Sequence, residues 1–340
     1  MYRRMKACLM GFFEQAERHR LRSEIVLVDW NPPSDRPSLK DLYEWPSQAK
    51  FCSIRIIVVP PSVHQRFEHW EKIPVHFSLA QNVAIRRARG KFILSTCVDN
   101  LFSDELVQFL ASERLVENRI YRTDHCNVKR SAAQLPSLDE QLAYCKKNIL
   151  SIDPFVPSLS LPGLDGVPGL YTGAPGDFTL LSRTYWHKVH GYPEIEIFGR
   201  ATGAMLCYMA YFAGAQVEAL KDPLRLYHID HDSRTRSPES NWWARTRLRN
   251  LLPSWLSDAA KLCVRQFFPA RDEIARRQIP YMGYSEATAL VLDMFEGKRS
   301  FIYNDKTWGL RQEQLQEFAV TTADYEAEDQ LELKVNHSRA

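Results

Sequence analysis

Two kinds of periodicity alternate along the first half of the chain. Apolar side chains at Met5, Leu9, Phe12, Phe13 and Ala16 recur at helical spacing over residues 2–20. EIVLVDW (24–30) is a run of strand formers closing on Asp29, and NPPSDRPSLKDL after it reads as a turn into a short helix. SIRIIVVP (53–60) predicts another strand, stopped by Pro60 and Pro61. FSLAQNVAIRRAR (77–89) is amphipathic, with Leu79, Val83, Ile85 and Ala88 on one side. Gly90 ends that helix, KFILSTCVD supplies a third strand, and DELVQFLASERL a helix after it. Strand and helix alternating over short connections predict an α/β fold, a mostly parallel sheet with helices on both faces.

The pattern then loosens. Residues 151–176 are too rich in proline and glycine for a helix or a central strand, and a loop of that length inside a domain is expected to bind or to cover something. FTLLSRTYW resumes a strand turning into a helix, AMLCYMAYFAGA (204–215) is a strongly apolar helix, and RLYHIDHD (225–232) is strand-like. From Pro238 the composition becomes basic and tryptophan-rich. We therefore expect one domain over 1–236, a helical C-terminal extension over 237–320, and a polar, mobile tail over 321–340. FIYNDKTWGLRQEQL (301–315) reads as a strand or loop and then a helix starting near Asn304 or Asp305, a docking segment without chemistry of its own.

Composition narrows the class only a little. With 340 residues, 45% hydrophobic and 25% charged, the chain has the make-up of a globular protein, and a formal charge of +3 gives no reason to expect nucleic acid. Seven scattered cysteines without a C-x-x-C pair fit a reducing compartment and argue against a disulfide framework or a zinc site. No apolar run reaches the roughly 20 residues a bilayer needs, and the N-terminal stretch lacks a signal-peptide cleavage site. A cytoplasmic protein is expected. Leu248, Leu252, Trp255 and Ala259 form one stripe with Arg245 and Arg249 beside it, so 241–268 either touches the inner face of a membrane peripherally or packs on the main domain.

Four stretches, in order, carry a resemblance: EIVLVDWNPPSDRP, AQNVAIRRARGKFIL, STCVDN and PGDFTLLSRTYWHKVHGYPE. Together they resemble the GT-A glycosyltransferases, nucleotide-sugar-dependent enzymes on a Rossmann-like sheet, over residues 1 to about 235. The resemblance implies a sugar moved from a nucleotide-diphosphate sugar to a glycan or lipid-linked acceptor, with Mn²⁺ or Mg²⁺ on the diphosphate. STCVDN stands where the family carries D-x-D, with Cys97 first and Asp99 last. The family opens on a strand before its first helix, and this chain begins on the helix. GRATGAM, where a catalytic acid is often found, holds none. A catalytically silent relative that binds a sugar nucleotide or a glycan partner is the second reading. No G-x-G-x-x-G follows a predicted strand, which excludes a dinucleotide-binding dehydrogenase.

On that reading Asp99, at a strand end, is a metal ligand and part of the donor site; its alternative is a turn cap. His228 is a second ligand or a satisfied strand-end histidine. His231 stands three residues on, and on a regular strand it would point the other way unless the chain turns at Ile229. Asp230 and Asp232 compete for the role. Asp29 would accept from the nucleotide, or cap the turn after it. Asn82 and Arg86 lie on the helix before Asp99, and an arginine there can hold a diphosphate bidentately. For the general base the candidates are Asp177, Glu194 and Glu196, the first two ranked together. Cys97 reads as a small buried hydrophobe.

Overall fold

The computed structural model describes residues 2–153, 167–199, 201–231, 280–282 and 284–326. The tryptophan-rich stripe at 241–268 and Asp232 lie outside them. The strands are β1 (Ser23–Trp30), β2 (Gln48–Ala49), β3 (Cys52–Val59), β4 (Phe92–Ser95), β5 (Asn100–Phe102), β6 (Arg119–Thr123), β7 (His125–Val128), β8 (Ile149–Asp153), β9 (Thr179–Ser182), β10 (Phe198–Gly199), β11 (Gln216–Leu220), β12 (Leu226–Ile229), β13 (Tyr281–Met282) and β14 (Gln316–Ala323). The helices are α1 (Tyr2–Arg18), α2 (Leu39–Leu42), α3 (Pro61–His64), α4 (Phe77–Arg87), α5 (Asp104–Leu110), α6 (Leu138–Lys147), α7 (Arg183–Val189), α8 (Thr202–Phe212) and α9 (Tyr284–Phe295), with a 3₁₀ turn at Arg130–Gln134.

The architecture is mixed α/β. Among the described residues it comprises three four-stranded sheets, ordered β1-β3-β14-β2, β11-β6-β9-β4 and β5-β12-β7-β8, and the pair β10-β13. This corrects the expectation of a mostly parallel sheet, because five strand pairings are parallel and five antiparallel. The expected parallel start is present: β1 and β3 pair in register from Ser23 with Cys52 to Trp30 with Val59. Helices do cover both faces of that pair. Leu9 of α1 packs with Leu27, Ile54 and Ile56, while Leu79 and Val83 of α4 pack with Trp30, Ile57 and Val59. Such two-sided burial explains why β3 is apolar apart from Ser53 and Arg55, the latter paired with Glu24 and Glu317.

Two outer strands are not wrapped as fully. β1 and β4 each end their sheet. Ile25, Val26 and Val28 on one, and Phe92 and Leu94 on the other, are only half-buried. A second core gathers the helices: α8 is buried from Thr202 to Ala210, against Trp186 of α7 and Ala287, Val291 and Met294 of α9.

The first residues of the expected tail, 321–323, belong to a strand. β14 runs through Ala323 and pairs antiparallel with β3, and the Tyr325 hydroxyl donates to Ser23 O at 2.8 Å. The expected helix from Asn304 is absent too; residues 306–312 form irregular turns. The carbonyls of Trp308, Gly309 and Leu310 take hydrogen bonds from Arg86 and Arg87, and only turn bonds such as Arg311 N to Thr307 O link the segment to itself. The extension is thus fastened to the first half of the chain. The six described cysteines are free, and no described helix is long and apolar enough to cross a membrane.

Candidate functional site

β4 stops at Ser95, and the TCVD turn carries the chain across to β5. Thr96 Oγ1 donates to Asp177 O at 2.7 Å, and Ile229 N donates to Asp99 O at 2.9 Å. The second bond ties the end of β12 to the turn. It brings His228 and His231 to one carboxylate: Asp99 Oδ2 is 3.1 Å from His231 Nε2 and 3.8 Å from His228 Nε2. Strict alternation would have separated the two histidines, but the strand ends at Ile229 and the chain turns there. Arg4, on the first turn of α1, also reaches Asp99 Oδ2, at 3.2 Å.

The layer beneath sets the chemistry of His228. Its Nδ1 lies 3.0 Å from Asn127 Oδ1, and the Asn127 amide is oriented by donating from Nδ2 to Ser151 Oγ at 3.1 Å. An amide oxygen only accepts, so the proton is assigned to His228 Nδ1 and the Nε2 lone pair is left toward Asp99. Burial, followed by the charge of His125, lowers the His228 pKa against the pull of Asp177 and Asp99. A neutral imidazole with Nδ1–H held from behind and Nε2 bare is the state in which histidine binds a metal.

His125 stacks on His228 with ring centroids 4.8 Å apart, and its Nε2 lies 3.1 Å from Asp177 Oδ2. Burial works against ionisation of Asp177. The hydrogen bond and charge of His125 outweigh it, with help from His228 and Cys97, and the carboxyl falls to about 2. A group so acidic is a weak base at neutral pH; the carboxylate orients His125. Its loop is held by the buried Arg122, whose guanidinium donates to the carbonyls of Gly173, Pro175 and Phe178 and to Thr179 Oγ1. Cys97 donates from Sγ to Gly176 O at 3.4 Å. Burial, reinforced by Asp177 and Asp99, pushes its thiol well above the ordinary range, so without a cation it stays protonated; with Asp99 and Asp177 it forms a second group of donor atoms within 4.8 Å of one another. Asn100, fully buried, gives Nδ2 to Thr96 Oγ1 and Asp177 O, and its Oδ1 has no partner.

One carboxylate and two imidazoles within 4.8 Å of one another form a donor set of one oxygen and two nitrogens. It suits Mn²⁺ and similar transition ions and fits Mg²⁺ poorly, since Mg²⁺ prefers oxygen throughout. A cation on Asp99 would have to displace Arg4.

The other expected donor-site residues lie elsewhere, for reasons the structure makes plain. Asn82 donates to Tyr192 O and Glu194 Oε1, both at 2.8 Å, and accepts from Tyr192 N at 2.8 Å. Glu194 also accepts from Gly309 N at 2.7 Å. Arg86 donates to Trp308 O at 3.0 Å, with its guanidinium 4.6 Å from the Trp308 ring centroid. These three form a latch for the C-terminal segment, which corrects their assignment to nucleotide, diphosphate and base. Glu196 accepts from Glu68 N at 2.7 Å. Asp29 accepts from Leu39 N at 3.0 Å, the capping alternative.

Sequence reasoning missed Arg4, His125 and Asn127. The last two left a signal: they alternate along TDHCNV and so share a face. Arg4 left none, because only packing of α1 brings it to Asp99. Compared with known proteins, the chain matches no family model and no curated protein.

Proposed function

We propose that the chain is a metal-dependent glycosyltransferase of GT-A type, moving a sugar from a nucleotide-sugar donor to a glycan or lipid-linked acceptor. The observation that carries this reading is the bare Nε2 of His228 turned toward Asp99, with His231 on the same oxygen. The sequence resemblance supplies the reaction class and the acceptor. Asp99, His228 and His231 would hold the cation, which as a Lewis acid offsets negative charge on a departing diphosphate. Asn127 fixes the tautomer of His228, and Asp177 fixes His125 behind it. The TCVD turn positions Asp99.

The Arg4–Asp99 ion pair favours a second reading, a silent binding protein in which a guanidinium takes the place of the cation. Thermal-shift titration with UDP, GDP, CMP and TDP, each with Mn²⁺, with Mg²⁺ and with chelator, separates the two. At about a hundred times its dissociation constant, a bound nucleotide adds roughly 2.7 kcal/mol of stability. The enzyme reading requires such a shift with Mn²⁺, lost in Asp99→Asn. A shift equal in chelator would favour the silent protein, and no shift at all would defeat the nucleotide-sugar reading.

A further inference from the structure

β1 and β4 each end their sheet, and neither has a hydrogen-bonded strand on its outer side among the described residues. Ser23 N and Asn31 N donate to Phe51 O and Val59 O. The odd-numbered residues of β1 therefore face β3, and the N–H and C=O of Val26 and Val28 face outward. Arg183 N donates to Lys91 O in the ladder with β9, which likewise turns the main chain of Phe92 and Leu94 outward. The two edges start together: Arg89 N, just before β4, donates to Glu24 Oε1 at the head of β1. They finish together under the opening turns of α4, where Leu79 packs with Trp30 and Gln81 Nε2 donates to Ser95 Oγ at 3.2 Å. Between these ends their Cα atoms stand more than 8 Å apart over nearly their whole length. Adjacent strands lie about 4.8 Å apart, so one further strand between the two needs about 10 Å.

The same two helices floor and roof this line. α1 lays Leu9 on Leu27 and brings Phe12 to the cluster that Phe92 and Leu94 join. α4 packs Val83 with Val26 and Val28, and Ile85 with Ile93. On both faces the apolar core divides along the line, one cluster to each side. β3, with a strand on either side, is buried at every position but Val58. β1 lies between the same helices and buries only Leu27 and Trp30, while Ile25, Val26, Val28, Phe92 and Leu94 stay half-buried. The open edge is the difference.

We propose that this line is a docking slot for one extended, apolar segment of a partner protein, which enters as the strand joining the two sheets. Two facing rows of N–H and C=O groups select the occupant. Extended main chain carries donors and acceptors on both of its edges at the matching spacing; a helix has spent its own, and an apolar ligand offers none. The segment's side chains point alternately at α1 and α4, so both sets must be apolar. About five residues, rising about 3.3 Å each, span the part of β1 that faces β4. Filling the slot merges the two halves of each core cluster and removes two open edges.

The test is residue-resolved amide hydrogen exchange of the full chain, without and with the octapeptide SIRIIVVP. That sequence is taken from β3, which already pairs with β1 on its other side. In the free chain the amides of Val26, Val28, Phe92 and Leu94 should exchange far faster than those of Ile25 and Leu27. The peptide should slow all four about tenfold or more, and N-methylating its alternate amides should weaken its binding by a similar factor. Val26→Pro removes an N–H that β3 does not use, so this variant should fold and should also bind the peptide about tenfold more weakly. Protection of the four amides in the free chain, equal to that of Ile25 and Leu27, would mean that the slot is closed and overturn the proposal. Failure of the peptide to bind overturns it too, as does binding that leaves the four amides fast or is unchanged in Val26→Pro. Protection that grows with protein concentration in the absence of peptide would give the slot to a second copy of the chain instead.

Discussion

Two polar clusters in this molecule look alike in the sequence and differ in kind. Around Asn82, both amide atoms are spent on Tyr192 and Glu194. Asn304 spends its amide in the same manner, taking Glu194 N at 2.8 Å and giving to His190 O and Tyr192 O. Around Asp99 the contacts are longer, the oxygen is shared by three competing groups, and one imidazole lone pair is left facing it. A saturated network fixes a structure; one with lone pairs to spare has capacity for a ligand. Their acids move in opposite directions. Burial raises the Glu194 pKa despite hydrogen bonds from Asn82 and Gly309, whereas His125 overcomes burial at Asp177 and lowers it.

The sharpest break of the comparison is Asn82→Ala. It strands Tyr192 N and takes a donor from the half-buried Glu194, while Tyr192 O keeps its bond from Asn304, and should cost about 3 kcal/mol in urea unfolding. Gly191→Ala attacks the same latch from outside, since a Cβ there would overlap the Asn82 side chain at φ +73°; destabilisation without any change in Mn²⁺ binding is expected. Should either variant lose Mn²⁺ binding while still folded, the two clusters are not independent.

Acid titration gives the next effect. The folded pKa of Asp177, about 2, lies below its ordinary 3.8. The stabilisation is therefore fully present above about pH 4 and fades as pH falls through 2, about 2 kcal/mol in all. Asp177→Asn should flatten that limb of the stability curve; an unchanged slope between pH 4 and 2 would remove the His125 pairing from consideration. The smallest effect belongs to Asp99→Asn, which breaks a half-buried ion pair and should move stability by no more than about 1 kcal/mol while ending Mn²⁺ binding. A large stability loss there would make Asp99 a structural residue like Asn82.

The sequence announces those parts of the fold whose apolar pattern is local. EIVLVDW, SIRIIVVP and FSLAQNVAIRRAR become β1, β3 and α4 nearly as read, because both faces of that layer are buried and the periodicity is strong. Asp99 and His228 were legible for a similar reason, since a polar residue ending an apolar run stands out. QEFAVTTA was not read as a strand. Its first residues are exposed or half-buried, with only Thr321 and Ala323 buried at its end, and its partner β3 lies far away in the chain. Asn82 and Arg86 misled because nothing local distinguishes an arginine that holds phosphate from one that holds the carbonyls of a distant segment. The meeting of Arg4 with Asp99 depends on how a helix is docked, which no spacing records.

The placement of β14 also sets a schedule for synthesis. β3 is complete at Val59, yet its second neighbour is not finished until Ala323. At about 5–20 residues per second, the ribosome leaves that edge of β3 without its neighbour for roughly 13–50 s. During that interval an unpaired strand edge is exposed to other nascent chains, so a late-made strand serves as the seal on the first-made sheet.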